Sequence, residues 1–429
     1  MKTLKDSLLS LILIATVFIT LDAQPQTDPK GRAAGSSHVV AGADRLLPEF
    51  PQLIRGKNLA LVSNHSGRLS NGTHLVDTLF HFPGVSLKVL FGMEFNIRSN
   101  DYSLPRDKEV DIDPPTGLVK YSLYGETHKP TSDMLRGIDV IIFDIQEVGA
   151  RFYEHINILG FVMEAAAENN IEVVVLDRPN PLTGIHRDGF LPDSACLYRF
   201  GSFAPVPVLH GMTMGELALF YNGEQLLRGK RQAKLHVVPM KGWRRSIWFD
   251  ETGLEWRKPS PNLLTLSSVL AYAGTCLFEG LNISEGRGTD RPFEYIGAPW
   301  IDNVKAAALL NGLKLPGISF EPVEFTPEKK PHLSREPELS GQRCKGIFVN
   351  ITDRKSAQPY RAGIALVWAF NRLHGDKLVW DEQVLERLTA KKDFVASIRK
   401  GVAPKQIFAG WEKELVRFNE RIKPYLLYR

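Results

Sequence analysis

Four short apolar runs in the first half of the chain each deliver side chains that could do chemistry. Residues 58–62 run into Ser63-Asn64-His65-Ser66-Gly67, and residues 86–91 into Gly92-Met93-Glu94-Phe95-Asn96-Ile97-Arg98. Residues 138–143 lead to Asp144, Gln146, Arg151 and Tyr153; residues 171–176 lead to Asp177-Arg178-Pro179-Asn180-Pro181. His210 ends a further short run at 205–209, Asn262 sits in the rigid turn Pro259-Ser260-Pro261-Asn262, and a glycine-rich stretch at 278–289 carries Glu279, Glu285 and Arg287. Glycoside hydrolysis needs a carboxylic acid to protonate the leaving oxygen and usually a second group for water or for the sugar carbon. Amides and arginines bind sugar hydroxyls, acetamides and carboxylates. The set fits that chemistry, and it also fits a protein that only holds a sugar.

Other chemistries find no support. No G-x-G-x-x-G follows the first run, and there is no G-x-x-x-x-G-K-[ST], H-E-x-x-H or G-x-S-x-G. Cys196, Cys276 and Cys344 show no paired spacing, so they read as buried thiols and not as a zinc or redox site. The net charge of +5 is spread along the chain without a basic block, which argues against nucleic acid. Asp111-x-Asp113 precedes Pro114-Pro115 and reads as a loop or cap.

The elements must place these groups together. The four runs are too short for helices, and the last two are rich in Val and Ile, so they read as buried parallel strands. A helical pattern over 151–169 joins the third to the fourth. This β-α-β alternation predicts an α/β fold whose polar groups sit beyond the carboxyl ends of the strands, where open α/β sheets bind ligands. A short strand is expected at 205–209, then a helix over 213–227 capped by Thr213 with Glu216. A polar, basic shift at 222–233 places a boundary near residue 230, giving domains at 38–230 and 231–429. The second part is read as a strand at 234–239, a loop-rich middle at 256–300, strands near 318–325 and 346–352, and helices at 362–374, 381–388 and 404–425. At the N-terminus, Lys2, Lys5 and the apolar stretch 8–21 read as an export signal over residues 1–23, cleaved near Ala23 and followed by a disordered leader at 24–37. A secreted or periplasmic protein is expected.

Each candidate also has a bland reading. Glu94 is the candidate general acid, against an ion pair with an arginine such as Arg98. Asn64, with His65 beside it, could offer an amide to substrate or cap a turn. Asp144 and Gln146 share one face of an extended chain, and Asp144 could instead hold Arg151. Arg178 and Asn180 could stiffen their loop, and His210 could be a satisfied core histidine. Some of Glu279, Glu285 and Arg287 could be salt-bridged scaffold.

The chain resembles the exo-acting β-N-acetylmuramidases of bacterial peptidoglycan recycling. It carries LVSNHSG at 61–67, IDVIIFDIQEVGARFY at 138–153, VLDRPNP at 175–181 and HGMTMGEL at 210–217. PSPN at 259–262, FEGLNISEGRG at 278–288 and PFEYIGAPW at 292–300 continue the match over nearly the whole mature chain. The resemblance implies a Rossmann-like N-terminal domain, a smaller α+β C-terminal domain and a site in the cleft between them. It implies release of N-acetylmuramic acid from the non-reducing ends of peptidoglycan-derived glycan fragments, with no cofactor or metal. Arg98 becomes a candidate for the lactyl carboxylate that distinguishes muramic acid from glucosamine. One motif departs. Where the family shows P-E-H-G-F-R-G, this chain has Met93-Glu94-Phe95-Asn96-Ile97-Arg98-Ser99. Glu94 and Arg98 are kept while the His and both glycines are not, so a catalytically impaired sugar-binding homologue is the other reading.

Overall fold

The computed structural model describes residues 38–94, 96–101, 108–333 and 336–429. The expected export signal and leader, and Phe95, lie outside the described residues. The first half builds a seven-stranded sheet: β1 (Asn58–Ser63), β2 (Ser86–Gly92), β3 (Val110–Ile112), β4 (Val119–Ser122), β5 (Val140–Asp144), β6 (Glu172–Leu176) and β7 (Lys234–Val238). Its order is β3-β4-β2-β1-β5-β6-β7. All neighbours are parallel except the β3–β4 edge pair. The chain winds outward one way from β1 and then the other way from β5, so the order reverses between those two strands. That is the doubly wound, Rossmann-like arrangement.

Successive residues of a strand point to opposite faces, and both faces here are covered. Ala60, Val62, Ile141, Phe143, Val173 and Val175 pack with helices α3 (His155–Glu168) and α4 (Met214–Gly223). Leu59, Leu61, Val140, Ile142, Val174 and Leu176 pack on α1 (Gly42–Glu49) and α2 (Leu75–Phe80). Two-sided burial is why these strands are continuous apolar runs. The capping box expected at α4 is present: the Glu216 N–H donates to Thr213 Oγ1 at 3.3 Å and the Thr213 N–H to Glu216 Oε2 at 3.1 Å.

The second region holds α5 (Leu266–Thr275), a small antiparallel sheet of β8 (Tyr295–Ala298), β9 (Ile318–Phe325) and β10 (Cys344–Ile351), and helices α6 (Asn303–Asn311), α7 (Pro359–His374), α8 (Glu382–Thr389), α9 (Phe394–Arg399) and α10 (Pro404–Ile422). Together they enclose a third apolar core.

Several expectations are corrected. The strand expected to open the second part, β7, is the edge of the first sheet, paired with β6 along its length. The run 205–209 is not a strand; Leu209 makes only isolated bridges to Ala150 and Asp188. The loop-rich middle contains α5, started by Thr265 and buried from Ser268 to Thr275, its apolar decapeptide masked by the Pro- and Gly-rich flanks. Finally, α3 begins at His155, not at 151. The preceding residue, Glu154, has φ +36°, outside the helical region.

Candidate active site

Beyond the carboxyl ends of β1, β5 and β6, the crevice at the point of strand reversal is filled by the protein's own polar groups. The Ser66 N–H and hydroxyl donate to Asn64 Oδ1 at 3.0 and 2.5 Å, so the Asn64 amide caps a turn. Gly67 lets that turn fold onto the sheet, since a Cβ there would collide with Ser63 Oγ. The Gln146 N–H donates to Ser66 Oγ at 3.0 Å, and its amide donates to Glu147 O and Pro179 O at 3.0 and 2.7 Å. Arg178 grips Asp144 through Nε and Nη2 at 2.6 and 2.9 Å, and both residues are buried. Asn180 donates to Met212 O and accepts from the Leu182 N–H, both at 3.0 Å. Asn64, Asp144, Gln146, Arg178 and Asn180, each considered for a substrate role, are all buried and bonded inside the scaffold.

Other candidates are also held in place. Arg98 donates to Asp77 at 2.8 and 3.0 Å and to Asp113 at 2.7 and 2.8 Å, which occupies its guanidinium on two carboxylates. Arg151 is fully buried and donates to the carbonyls of Gly201, Leu388 and Thr389 at 2.9, 3.3 and 3.0 Å. It is a strut, not a substrate ligand. His65 donates from Nε2 to Lys258 O at 2.9 Å, and His210 is fully buried with Nδ1 accepting from the Met212 N–H at 3.2 Å. Asn262 donates to Leu333 O at 2.7 Å.

A cavity with about 860 Å³ of free space, part of it open to solvent, lies between the end of β2 and the second region. Of the sequence candidates it gathers Glu94, Tyr153, Glu279 and Arg287. Glu94 follows β2 directly, as the sequence suggests. Arg287 bridges Glu279, at 2.6 Å, and Glu285, while its guanidinium lies 4.8 Å from the centre of the Phe293 ring. Burial opposes the charge of Arg287, but the two carboxylates overcome this and hold it firmly protonated. Glu279 and Glu285 are therefore partly scaffold.

Sequence reading missed three residues that line the same cavity: Glu154, His155 and Arg387. The turn 151–154, taken as the first turn of a helix, is what presents the first two. Burial, then the negative charges of Glu94 and Glu279, push the Glu154 carboxyl well above the usual carboxylate range. His155 is 5% exposed and its Nδ1 has no hydrogen-bond partner. Burial and the nearby His65 push its imidazole down to about 3, so it stays neutral. Arg387, near the end of α8, makes no ion pair among the described residues. The carbonyls of Leu388 and Thr389, next to it, are the ones held by Arg151.

This cavity brings three carboxyl groups, Glu94, Glu154 and Glu279, together with the guanidinium groups of Arg287 and Arg387. Similarity to known proteins runs along the chain. The N-terminal and C-terminal models of the exo-beta-N-acetylmuramidase NamZ family match residues 59–267 and 270–428. The chain belongs to this family of glycoside hydrolases. It is 37% identical to the peptidoglycan beta-N-acetylmuramidase NamZ of Bacillus subtilis (strain 168), over the full length of both. Two solved DUF1343 family proteins of Bacteroides fragilis share the fold, each 31% identical. One has a TM-score of 0.84, covering 92% of this chain and 100% of its own; the other has 0.73, covering 92% and 99%.

Proposed function

We propose that the protein is an exo-acting β-N-acetylmuramidase that releases N-acetylmuramic acid from the non-reducing ends of peptidoglycan fragments. The observation that carries this reading is the cavity itself, where Glu94 and Glu154 meet Glu279, Arg287 and Arg387. Its walls come from the end of β2, the start of α3, the glycine-rich loop and α8, which suits a pocket receiving the end of a glycan. Carboxyl groups on one cavity can supply the proton for the leaving oxygen and the base for water. Arg387 provides the cation for the lactyl carboxylate, the role that Arg98 cannot fill.

The test is turnover of a β-1,4-linked muramic acid–glucosamine disaccharide, followed by release of free N-acetylmuramic acid. Wild type is expected to release it from the non-reducing end only. Glu94→Gln is expected to lower kcat by ~10²-fold or more, the usual contribution of general acid-base catalysis. Absence of turnover by wild type on this disaccharide and on activated aryl muramides would overturn the enzymatic reading in favour of a cell-wall sugar-binding protein.

A further inference from the structure

We propose that Glu154 is the second catalytic carboxyl of this cavity and carries the proton that the leaving sugar receives, with Glu94 ionised beside it. The assignment rests on the glycosidase reading above and goes further, because it moves the acid role suggested for Glu94 to a residue outside every motif quoted for the family. Four observations support it. Glu94 and Glu154 line one cavity, one from the end of β2 and the other from the turn before α3. The third carboxyl there, Glu279, is held by Arg287, whereas no hydrogen bond or ion pair within the described residues holds the carboxyl of Glu154. A carboxyl on such a wall without a structural partner has no scaffold role to explain it. Next, Glu154 sits at φ +36°, a conformation that non-glycine residues seldom adopt and that cavity-lining functional residues often do. Finally, the adjacent His155 is buried, lines the same cavity and has an Nδ1 without a hydrogen-bond partner.

The electrostatics agree. Burial and the charges of Glu94 and Glu279 favour the neutral form of Glu154, as expected when like charges share a desolvated site. Arg287 is committed to its two carboxylates, and Arg387 opposes the shift only in part. The remaining titratable groups are the phenols of Tyr124, Tyr153 and Tyr272, the Cys276 thiol and neutral His155; burial pushes Tyr272 and Cys276 up and His155 down. A carboxyl held neutral beside a second carboxyl on one cavity is placed to act as an acid next to a base.

The step balances. Glu154 gives its proton to the glycosidic oxygen as the C1–O bond breaks, and the bonding pair stays on that oxygen. Water adds to C1 and yields a proton to Glu94. Glu154 ends ionised and Glu94 protonated, one water is consumed, and proton transfer between them restores the start.

The experiment compares wild type, Glu94→Gln, Glu154→Gln and Glu154→Asp on two substrates: the muramic acid–glucosamine disaccharide and an aryl β-muramide whose phenolate leaves without protonation. Circular dichroism checks folding. Glu154→Gln is expected to lose ~10²-fold or more on the disaccharide, the usual general-acid effect, and much less on the aryl substrate. Its residual aryl activity should lack the alkaline fall of the wild-type pH profile. Glu94→Gln should lose on both substrates. Glu154→Asp, which keeps the carboxyl but shortens its reach, should lower kcat more than it changes KM, and it serves if Glu154→Gln does not fold. The assignment is overturned if folded Glu154→Gln keeps the wild-type disaccharide rate, loses equally on both substrates, or retains the alkaline limb. It is also overturned if Glu154→Asp is indistinguishable from wild type. Those results leave an active wild type and so spare the glycosidase reading; a wild type inactive on both substrates overturns both.

Discussion

Two arginines illustrate how residue type alone under-determines role. Arg98 lies four residues beyond Glu94, and both of its partners are carboxylates of the same domain. Removing it strands Asp113, whose side chain is 1% exposed. Arg98→Ala is therefore expected to cost about 2 kcal/mol of stability, the scale for a hydrogen bond to a charged group, and to leave the preference for muramic acid over N-acetylglucosamine intact. Arg387 faces the cavity from α8 without a paired carboxylate among the described residues. Arg387→Ala is expected to raise KM for muramides by roughly tenfold, equivalent to ~1.4 kcal/mol of lost binding, and to narrow that preference. Parallel kinetics on muramide and glucosaminide, with thermal melts of both variants, check the contrast. An unchanged preference in Arg387→Ala would remove it from substrate recognition.

At the level of elements, the ends of β5 and β6 are locked by Asp144 and Arg178, and the second region is tied to the first by Arg151. A buried ion pair stabilises little against an apolar replacement, but breaking one partner leaves a charge without compensation. Arg178→Met is expected to cost about 3–5 kcal/mol for that reason, and the double variant with Asp144→Leu to recover much of it. Urea melts of the two single variants and the double one form the cycle; additive losses would show that the pair is not coupled. The same lock fills the crevice at the strand reversal. Its hydrogen bonds are already made, and the open space lies one strand over, beyond β2.

The whole molecule responds to acid through imidazoles that it buries uncharged. Burial is the first cause in each case, holding His65 and His74 down at about 4 and His155 at about 3. An unfolded chain takes up these protons near pH 6.5, while the folded one resists until much lower pH. Their contribution is full above pH ~6.5 and is lost as the pH falls towards the depressed values, each tenfold drop in proton affinity being worth up to about 1.4 kcal/mol. Burial pushes the Asp177 carboxyl the other way, up to about 7, so its contribution is full below the ordinary carboxyl value and is lost as the pH rises to neutrality. Glu154 and Asp188 shift the same way as Asp177, whereas Asp113, Glu164 and Glu224 are held low, despite burial, by their arginine partners and lose stability in acid together with the imidazoles. The melting temperature is expected to fall between pH 6.5 and 4 in scanning calorimetry; a rise over that range would contradict this account.

The sequence alone determined the four central strands of the sheet, because strands buried on both faces must be written as apolar runs, and that pattern survives without any partner. β1, β2, β5 and β6 lie where those runs stand, and Glu94 follows β2 because a polar residue after a buried strand has one place to go. The capping box of α4 was legible for a similar reason, being local in sequence. Tertiary structure alone decided which polar residues are free. Asp144, Arg178 and Arg151 look like ligands in one dimension and find their partners only when strands and loops distant in sequence converge. It also decided the start of α3. The apolar period of that helix extends back to 151, but the backbone turns at Glu154 and delivers its carboxyl to the cavity. Arg387 joins from more than two hundred residues away on a helix that, read alone, is an ordinary amphipathic surface element. Periodicity reports which face of an element is buried; it does not report what that face meets.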